Sequence, residues 1–282
     1  MLLTLDEWIA RNAIAFAPDH AETLNAAVDE LVATLDHSVG VLGFGEPMHG
    51  AEEFLELRNR FFQRLVEAHG YTAIAIESSF TKGRIVDDYV AGRRGTSYDA
   101  IQDHGFSHGF GASAANRALV EWMRKYNSEP KHRAKLRFWG FDSPTEMVGT
   151  DSPRQLLAVS LDYLDTTAGP YDTDRRHRID ELLGSDAPWE DPAASFDPAK
   201  AIGLSDAATA LRIETEDLIS ELTIRRPELI SASDADRYAD AVRSANFARQ
   251  MLNYHAGLAK NNSRRLVDLL GMRDVMMADN LV

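Results

Sequence analysis

The sequence predicts an α/β fold, with a parallel sheet core crossed by helices and a mostly helical second region. Short apolar runs alternate with amphipathic helical patterns over about residues 1–145, an order that is typical of parallel sheets. Only helical periodicity continues over about residues 146–282. With 282 residues, the chain is long enough for one sheet core and a substantial helical addition.

Helical and apolar patterns set the elements of the first region in order. Apolar side chains three and four positions apart predict helices at 1–16, 20–36, 50–69 and 115–126. Three apolar runs predict buried parallel strands, namely "SVGVLGFGE", "GYTAIAIE" and "KLRFWGFD". The three strands end in Glu46, Glu77 and Asp142.

The second region opens with a signal for the start of a helix. Ser152 is placed to cap a helix, and Pro153 occupies its first turn. Further helical patterns follow at 205–223, 234–260 and 261–281. We therefore expect no strand between about residues 145 and 282.

Composition excludes several classes of function. The net charge of −14 disfavours nucleic acid and anionic membrane surfaces as partners, because both are negatively charged. The absence of cysteine excludes thiolate nucleophiles and cysteine-based zinc sites. The N-terminus carries acids where a signal peptide carries basic residues, and no run approaches the ~18 apolar residues of a membrane helix. We expect a cytoplasmic protein; its oligomeric state is not written in the sequence.

The predicted strand ends bring two acids and a histidine to one edge of the sheet. Ligands bind beyond the carboxyl ends of parallel strands, so we expect Glu46 and Glu77 to share a crevice. His49 follows Glu46 by three residues, in the turn before the next helix. Capping or solvation would explain any one of these residues alone. Their convergence on one crevice indicates a functional site.

Arg58 adds a cation to this group. It lies four residues after Phe54 and four before Phe62, beside the apolar side of its helix, where arginine is rare unless it is paired. Helical side chains lean toward the N-terminus of their helix. We therefore expect Arg58 to reach a strand-end carboxylate, by a bidentate contact where the geometry allows.

Three further residues are candidates for contact with a substrate. Phe106 and His108 lie in the Gly-rich segment "HGFSHGFG", and Asp142 ends the third strand. Turn chemistry is the simpler alternative for the loop and for Asp142. His255 lies on an apolar helix stripe, so we expect it to be a buried, hydrogen-bonded core histidine.

The segment "VLGFGEPMHGAEEFLELRNRFFQRLVEAHGYTAIAIES" combines three linked features. They are a Gly-Glu-x-x-His turn, an aromatic-rich helix that carries an arginine, and an apolar strand that ends in glutamate. This combination resembles the erythromycin esterase family of macrolide-lactone hydrolases and their relatives. The resemblance continues through "KGRIVDDYVAG", "VEWMRKYN", "LRFWGFDSP" and "RDVMMADNLV", and so covers essentially the whole chain.

The resemblance implies hydrolysis of a macrocyclic ester, an antibiotic in the type case, without a metal or other cofactor. By match, His49 is the general base that activates water. Glu46 orients it, and Arg58 and Glu77 hold the polar network. A carboxylate beside a histidine stabilises the imidazolium form, which suits a proton acceptor. The implied partner is a small-molecule ester or macrolide.

The resemblance also implies a departure from the family pattern. In the family, the segment that matches "MMADNL" is followed by another strand and a second functional histidine, and this sequence ends at Val282 before both. We therefore expect the 282-residue chain to hydrolyse esters poorly or not at all.

Two other functions fit the same residues. A metal-dependent hydrolase could use the Glu-x-x-His pair with Glu77 as ligands, although Arg58 in the same crevice opposes a cation. A non-catalytic protein could instead bind a macrolide-sized molecule between the sheet and the helical region. Chelation separates the first from the leading hypothesis, and binding without turnover identifies the second.

Overall fold

The structure is a computed structural model that describes residues 4–95, 97–143, 145–146 and 149–281. The chain forms two compact units. The first contains Met1–Ile74 and Arg84–Trp139, and the second contains Ala75–Gly83 and Gly140–Val282. The segment Ala75–Gly83 therefore groups with the C-terminal region, whereas the sequence predicts one boundary near residue 145.

Helices dominate the described part of the chain. They are α1 (Leu5–Asn12), α2 (Ala21–Ala33), α3 (Glu52–His69), α4 (Phe80–Val90), α5 (Ala114–Ser128), α6 (Arg154–Thr167), α7 (Arg175–Leu183), α8 (Asp206–Ile224), α9 (Arg226–Ala232), α10 (Ala235–Leu258) and α11 (Arg265–Asn280). The helices predicted from periodicity are confirmed, with bounds that differ by a few residues. Local chemistry sets some ends: α3 stops at His69 because Gly70 adopts a left-handed φ of 76°.

Two strands form a parallel sheet, which confirms the predicted α/β class. Strands β1 (Ala73–Ser79) and β2 (Arg137–Asp142) are neighbours in this two-stranded sheet. The strands approach closely at Gly140, where a Cβ atom would lie 2.4 Å from the carbonyl oxygens of both Ser78 and Ser79. Only glycine fits there, so this position fixes how β2 lies against β1.

Two strand predictions are wrong. Residues 39–46 have no regular structure, and Val41 and Phe44 are 73% and 51% exposed. An apolar run becomes a strand only where a neighbour pairs with its backbone, and no strand among the described residues pairs with this one. Beyond residue 145, β3 (Thr145–Glu146) and β4 (Gly149–Thr150) form a short antiparallel pair that the sequence pattern does not show.

The first unit is built around helix α3, which packs against α2 and α5. Their contact surfaces bury Leu24, Val28, Phe62, Leu119 and Met123. Burial of each such side chain contributes about 1.5–3 kcal/mol to folding. This packing fixes the start of α3, which directly follows the loop that carries Glu46 and His49.

The second unit is a helical assembly centred on α10, which contacts α6, α8 and α11. Buried alanines at 241, 245 and 248 let neighbouring helices approach α10 closely. The hydroxyl of Ser160 on α6 donates to the carbonyl oxygen of Ala241 at 2.8 Å. Within the described residues, none of the helices combines the length and the apolar character needed to cross a membrane.

Candidate active site

A loop just before α3 carries the predicted acid–histidine pair of the first unit. Nδ1 of His49 lies 3.2 Å from Oε1 of Glu46. The side chains of His49 and Glu46 are 65% and 29% exposed. With Nδ1–H donating to the carboxylate, Nε2 is left with no hydrogen bond from any described residue. The second ring nitrogen is therefore open to water or to a ligand.

Glu52, the first residue of α3, anchors this loop to helix α5. Its carboxylate accepts hydrogen bonds from the Ser113 hydroxyl at 3.1 Å and from the backbone N–H groups of Ala114 and Ala115 at 3.1 and 2.8 Å. A carboxylate is favoured at a helix N-terminus because unpaired N–H groups and the helix dipole meet there. The sequence analysis did not single out Glu52.

Arg58 has different partners from those predicted. Its Nε and Nη2 groups donate to Oδ1 of Asn59 at 3.2 and 2.8 Å, and Nη2 donates to Oδ1 of Asn116 at 2.8 Å. Asn59 in turn donates to the carbonyl of Ala115, and Asn116 donates to the carbonyl of Phe110. No carboxylate in the described part of the chain forms an ion pair with Arg58. The expected contact with a strand-end acid is therefore replaced by two neutral amides.

The reason lies in which face of α3 is buried. The buried positions include Leu55, Asn59 and Phe62, whereas Phe54 is exposed, so Arg58 borders an amide rather than an all-apolar stripe. Burial lowers the pKa of Arg58 to about 10, against the opposing effect of Glu46 and Glu52. The guanidinium is nevertheless charged at neutral pH.

The Gly-rich loop lies beside this cluster but does not present all of its predicted residues. Phe106 is buried, with its ring centroid 6.1 Å from Tyr98 and 5.8 Å from Phe138, so it packs the core instead of facing a ligand. His108 is exposed and has a left-handed φ of 56°. The centroid of the Phe110 ring lies 5.5 Å from that of His108 and 6.2 Å from that of His49, so this aromatic ring contacts both histidines.

The second unit carries an arginine cluster of its own. Arg273 on α11 donates from Nε and Nη2 to the two oxygens of Asp142, at 3.0 and 2.7 Å. Nη2 also lies 2.8 Å from Oε1 of Glu77. The hydrogen bonds to Asp142 raise the pKa of Arg273, against the effect of burial. The Asp142 side chain is 0% exposed, so it anchors Arg273 and does not offer a surface to a substrate.

Sequence reasoning missed Arg273, although a signal was present. The buried residues of α11 include Leu269 and Met276, and Arg273 lies between them at helical spacing. An arginine on such a stripe is the feature that drew attention to Arg58. Glu77 lies in the second unit and Glu46 in the first, so their shared crevice stays a prediction.

His255 is buried, as its position on an apolar stripe predicts. Its Nε2 lies 3.1 Å from the carbonyl oxygen of Asp151, and its ring makes an edge contact with Trp189 at 5.0 Å. Burial lowers the pKa of His255 to about 4. Across the described residues, no three histidine, aspartate or glutamate side chains are arranged to share a metal ion.

Comparison with known proteins identifies the family of this chain. The family model for erythromycin esterase matches residues 66–282. The chain belongs to the erythromycin esterase family. The match contains Glu77, Asp142 and Arg273 and begins after the Glu46–His49 loop and Arg58. Membership therefore rests on residues other than the Gly-Glu-x-x-His turn.

Erythromycin esterase type II from Escherichia coli is 26% identical over 142 residues, which are 50% of this chain and 32% of that protein. This chain thus matches about a third of the length of that relative.

Solved structures show the same fold. A Bacillus cereus protein superimposes with a TM-score of 0.74 at 18% identity, over 97% of this chain and 60% of the other. A succinoglycan biosynthesis protein superimposes with a TM-score of 0.65 at 17% identity, over 94% of this chain and 57% of the other. A mutant of the erythromycin esterase EreC in its open conformation superimposes with a TM-score of 0.64 at 18% identity, over 90% of this chain and 59% of the other.

Proposed function

We propose that this chain carries the water-activating part of an ester hydrolase, with His49 as general base and Glu46 as the residue that orients it. The observation that carries the proposal is the 3.2 Å contact between Nδ1 of His49 and Oε1 of Glu46. This contact fixes the ring and leaves Nε2 open on a largely exposed side chain. A base needs this combination of a held ring and an accessible nitrogen.

The proposed reaction uses this geometry. Nε2 of His49 takes a proton from water as the water oxygen bonds to the ester carbonyl carbon and the carbonyl electron pair moves to its oxygen. Collapse of the tetrahedral intermediate breaks the bond to the alcohol oxygen, which receives the proton from the imidazolium. The products are an alcohol and a carboxylic acid, which then releases its proton to water to give the carboxylate. Glu46 stabilises the imidazolium that exists between the two proton transfers.

The other predicted residues take supporting roles. Arg58 offers guanidinium N–H groups from the same unit. His108, exposed beside Phe110, is the residue of the Gly-rich loop that we propose to contact substrate. Glu77 acts in the second unit, where it holds Arg273.

The proposed substrate is a macrolide lactone or a related ester, cleaved without a metal and with inactivation of the antibiotic as its consequence. Membership of the erythromycin esterase family supports this substrate class.

A hydrolysis screen tests the proposal. Macrolides and simple esters are incubated with the chain at high protein concentration, because we expect slow turnover, and the products are identified by mass spectrometry. We expect hydrolysis that survives chelation and falls at least ~100-fold in His49→Ala, the usual share of a general base. Loss of activity on chelation, or an equal rate in His49→Ala, contradicts the proposal. Macrolide binding without any turnover would identify a binding protein instead.

A further inference from the structure

No carboxylate in the described part of the protein forms an ion pair with Arg58. Its hydrogen bonds go to the amide oxygens of Asn59 and Asn116, which accept without neutralising the charge. Both asparagines are buried, and both are fixed by donating to backbone carbonyls. The guanidinium is therefore held rigidly by neutral groups.

The two nearest carboxylates are committed to other partners. Glu52 accepts three hydrogen bonds from the N-terminus of α5. Glu46 is in contact with Nδ1 of His49. Neither lies within ion-pair distance of Arg58, although both influence it electrostatically. Two acids thus stabilise the charge of Arg58 from a distance, but neither bonds to the guanidinium, so its remaining N–H groups are available to an external anion.

The guanidinium also keeps a free donor. Nη1 of Arg58 makes no hydrogen bond to the described residues, yet it is not among the fully buried polar atoms that lack a partner. It is therefore open to solvent. The amides occupy Nε and Nη2 and so fix the plane of the guanidinium in advance, while the two N–H groups of Nη1 remain to donate to a carboxylate.

We propose that Arg58, clamped by Asn59 and Asn116, is a binding site for a carboxylate group. This inference rests on the proposed function, because ester hydrolysis releases a carboxylate and passes through an oxyanion. Asn59 and Asn116 are positioning residues that act through Arg58. Their essential property is that they are uncharged, since an acid at either position would form an ion pair with Arg58 and compete with an external carboxylate.

Binding of benzoate, with benzamide as its neutral counterpart, tests the inference. Affinities are measured by isothermal titration for the wild type, Arg58→Gln and Asn116→Asp. We expect both variants to weaken benzoate binding at least 10-fold and to leave benzamide binding unchanged. Asn116→Asp retains the guanidinium and an acceptor oxygen but loses the hydrogen bond to the carbonyl of Phe110, so a control must lose comparable backbone bonds. The new acid lies in the first turn of α5, where negative charge is favoured.

Asn127→Asp is the matched control. Asn127 is also on α5, and its amide also bonds to backbone groups, at Leu136 and Val90, but it does not contact Arg58. We expect it to bind benzoate as the wild type does. Thermal unfolding of each variant checks the fold, and Arg58→Gln remains decisive if Asn116→Asp unfolds.

Unchanged benzoate affinity in folded Arg58→Gln overturns the inference, as does equal weakening in Asn127→Asp. The binding assay needs no turnover, so it separates the two proposals. Benzoate binding that depends on Arg58, in a chain that hydrolyses no ester, contradicts only the proposed function. Hydrolysis that depends on His49, without such binding, contradicts only this inference.

Discussion

The two units treat the same pair of residue types in opposite ways. In the first unit, Arg58 is held by neutral amides and His49 is 65% exposed. In the second unit, Arg273 is paired with two carboxylates, and His255 is buried against a backbone carbonyl. Burial lowers the pKa of Arg58, whereas hydrogen bonds to Asp142 raise the pKa of Arg273.

This difference distinguishes charged groups that stabilise the fold from charged groups that can act on a ligand. A charge that is neutralised inside the protein contributes to the fold and has little capacity left for a ligand. A charge that is held but not neutralised keeps that capacity. The first unit therefore contains the candidate reacting groups, and the second unit uses comparable groups to join its elements.

Arg273→Met gives the largest expected effect on stability. It leaves Asp142 buried without its cation, and we expect a loss of about 3–5 kcal/mol in the free energy of unfolding. Urea denaturation followed by circular dichroism measures it. A loss below ~1 kcal/mol would show that Arg273 contributes little to folding and would contradict its structural assignment.

His255→Gln tests the buried histidine through pH. The unfolded chain binds a proton near pH 6.5, whereas the folded chain resists protonation down to about pH 4. Stability is therefore lost as pH falls through this window, by about 3 kcal/mol in total. Glutamine does not titrate, so we expect this part of the pH dependence to vanish in the variant. Parallel stability curves for the two proteins between pH 7 and pH 4 would refute the assignment.

We expect Arg58→Met to have a small effect on stability and a large effect on hydrolysis, the opposite of Arg273→Met. Removal of an unneutralised, half-buried charge changes the free energy of unfolding by less than about 1 kcal/mol, because desolvation offsets the lost hydrogen bonds. Ester hydrolysis, in contrast, falls about 10–100-fold in kcat/KM, equivalent to about 1.4–2.7 kcal/mol. If Arg58→Met instead lost as much stability as Arg273→Met and kept its hydrolysis rate, the two arginines would have the same structural role.

Glu52→Gln gives the smallest effect. Glutamine keeps acceptor oxygen but loses the negative charge at the N-terminus of α5, so we expect about 1 kcal/mol of destabilisation. Because Glu52 is hydrogen-bonded to the helix and acts on Arg58 only through its charge at a distance, we expect benzoate affinity to change less than it does in Asn116→Asp. Chemical denaturation and the titration described above measure both quantities. A benzoate effect as large as that of Asn116→Asp would make Glu52 part of the anion site.

The helices were predictable because the apolar residues of a buried helix face recur every three or four positions in the sequence. The strands that pair, β1 and β2, were predictable from their apolar runs. The segment at residues 39–46 is also largely apolar, but pairing depends on a neighbour that local sequence does not specify. The short β3–β4 pair carries no apolar run at all.

The contents of the site were predictable in part. The spacing of Glu46 and His49 in one turn predicts their contact. The partners of Arg58 were not predictable, because Asn116 lies 58 residues away and reaches it only through the packing of α3 and α5. Arg273 lies 196 residues from Glu77, yet its place on the buried stripe of α11 could have been read from the sequence.

The central claim is that Glu46 and His49 act as one unit in hydrolysis, and a double-mutant cycle tests it most directly. The values of kcat/KM are measured for the wild type, Glu46→Gln, His49→Ala and the double variant on the best ester from the screen. Since Glu46 acts through His49, we predict that Glu46→Gln slows the wild type about 10-fold or more but has no further effect in His49→Ala. Equal effects of Glu46→Gln in both backgrounds would contradict the account.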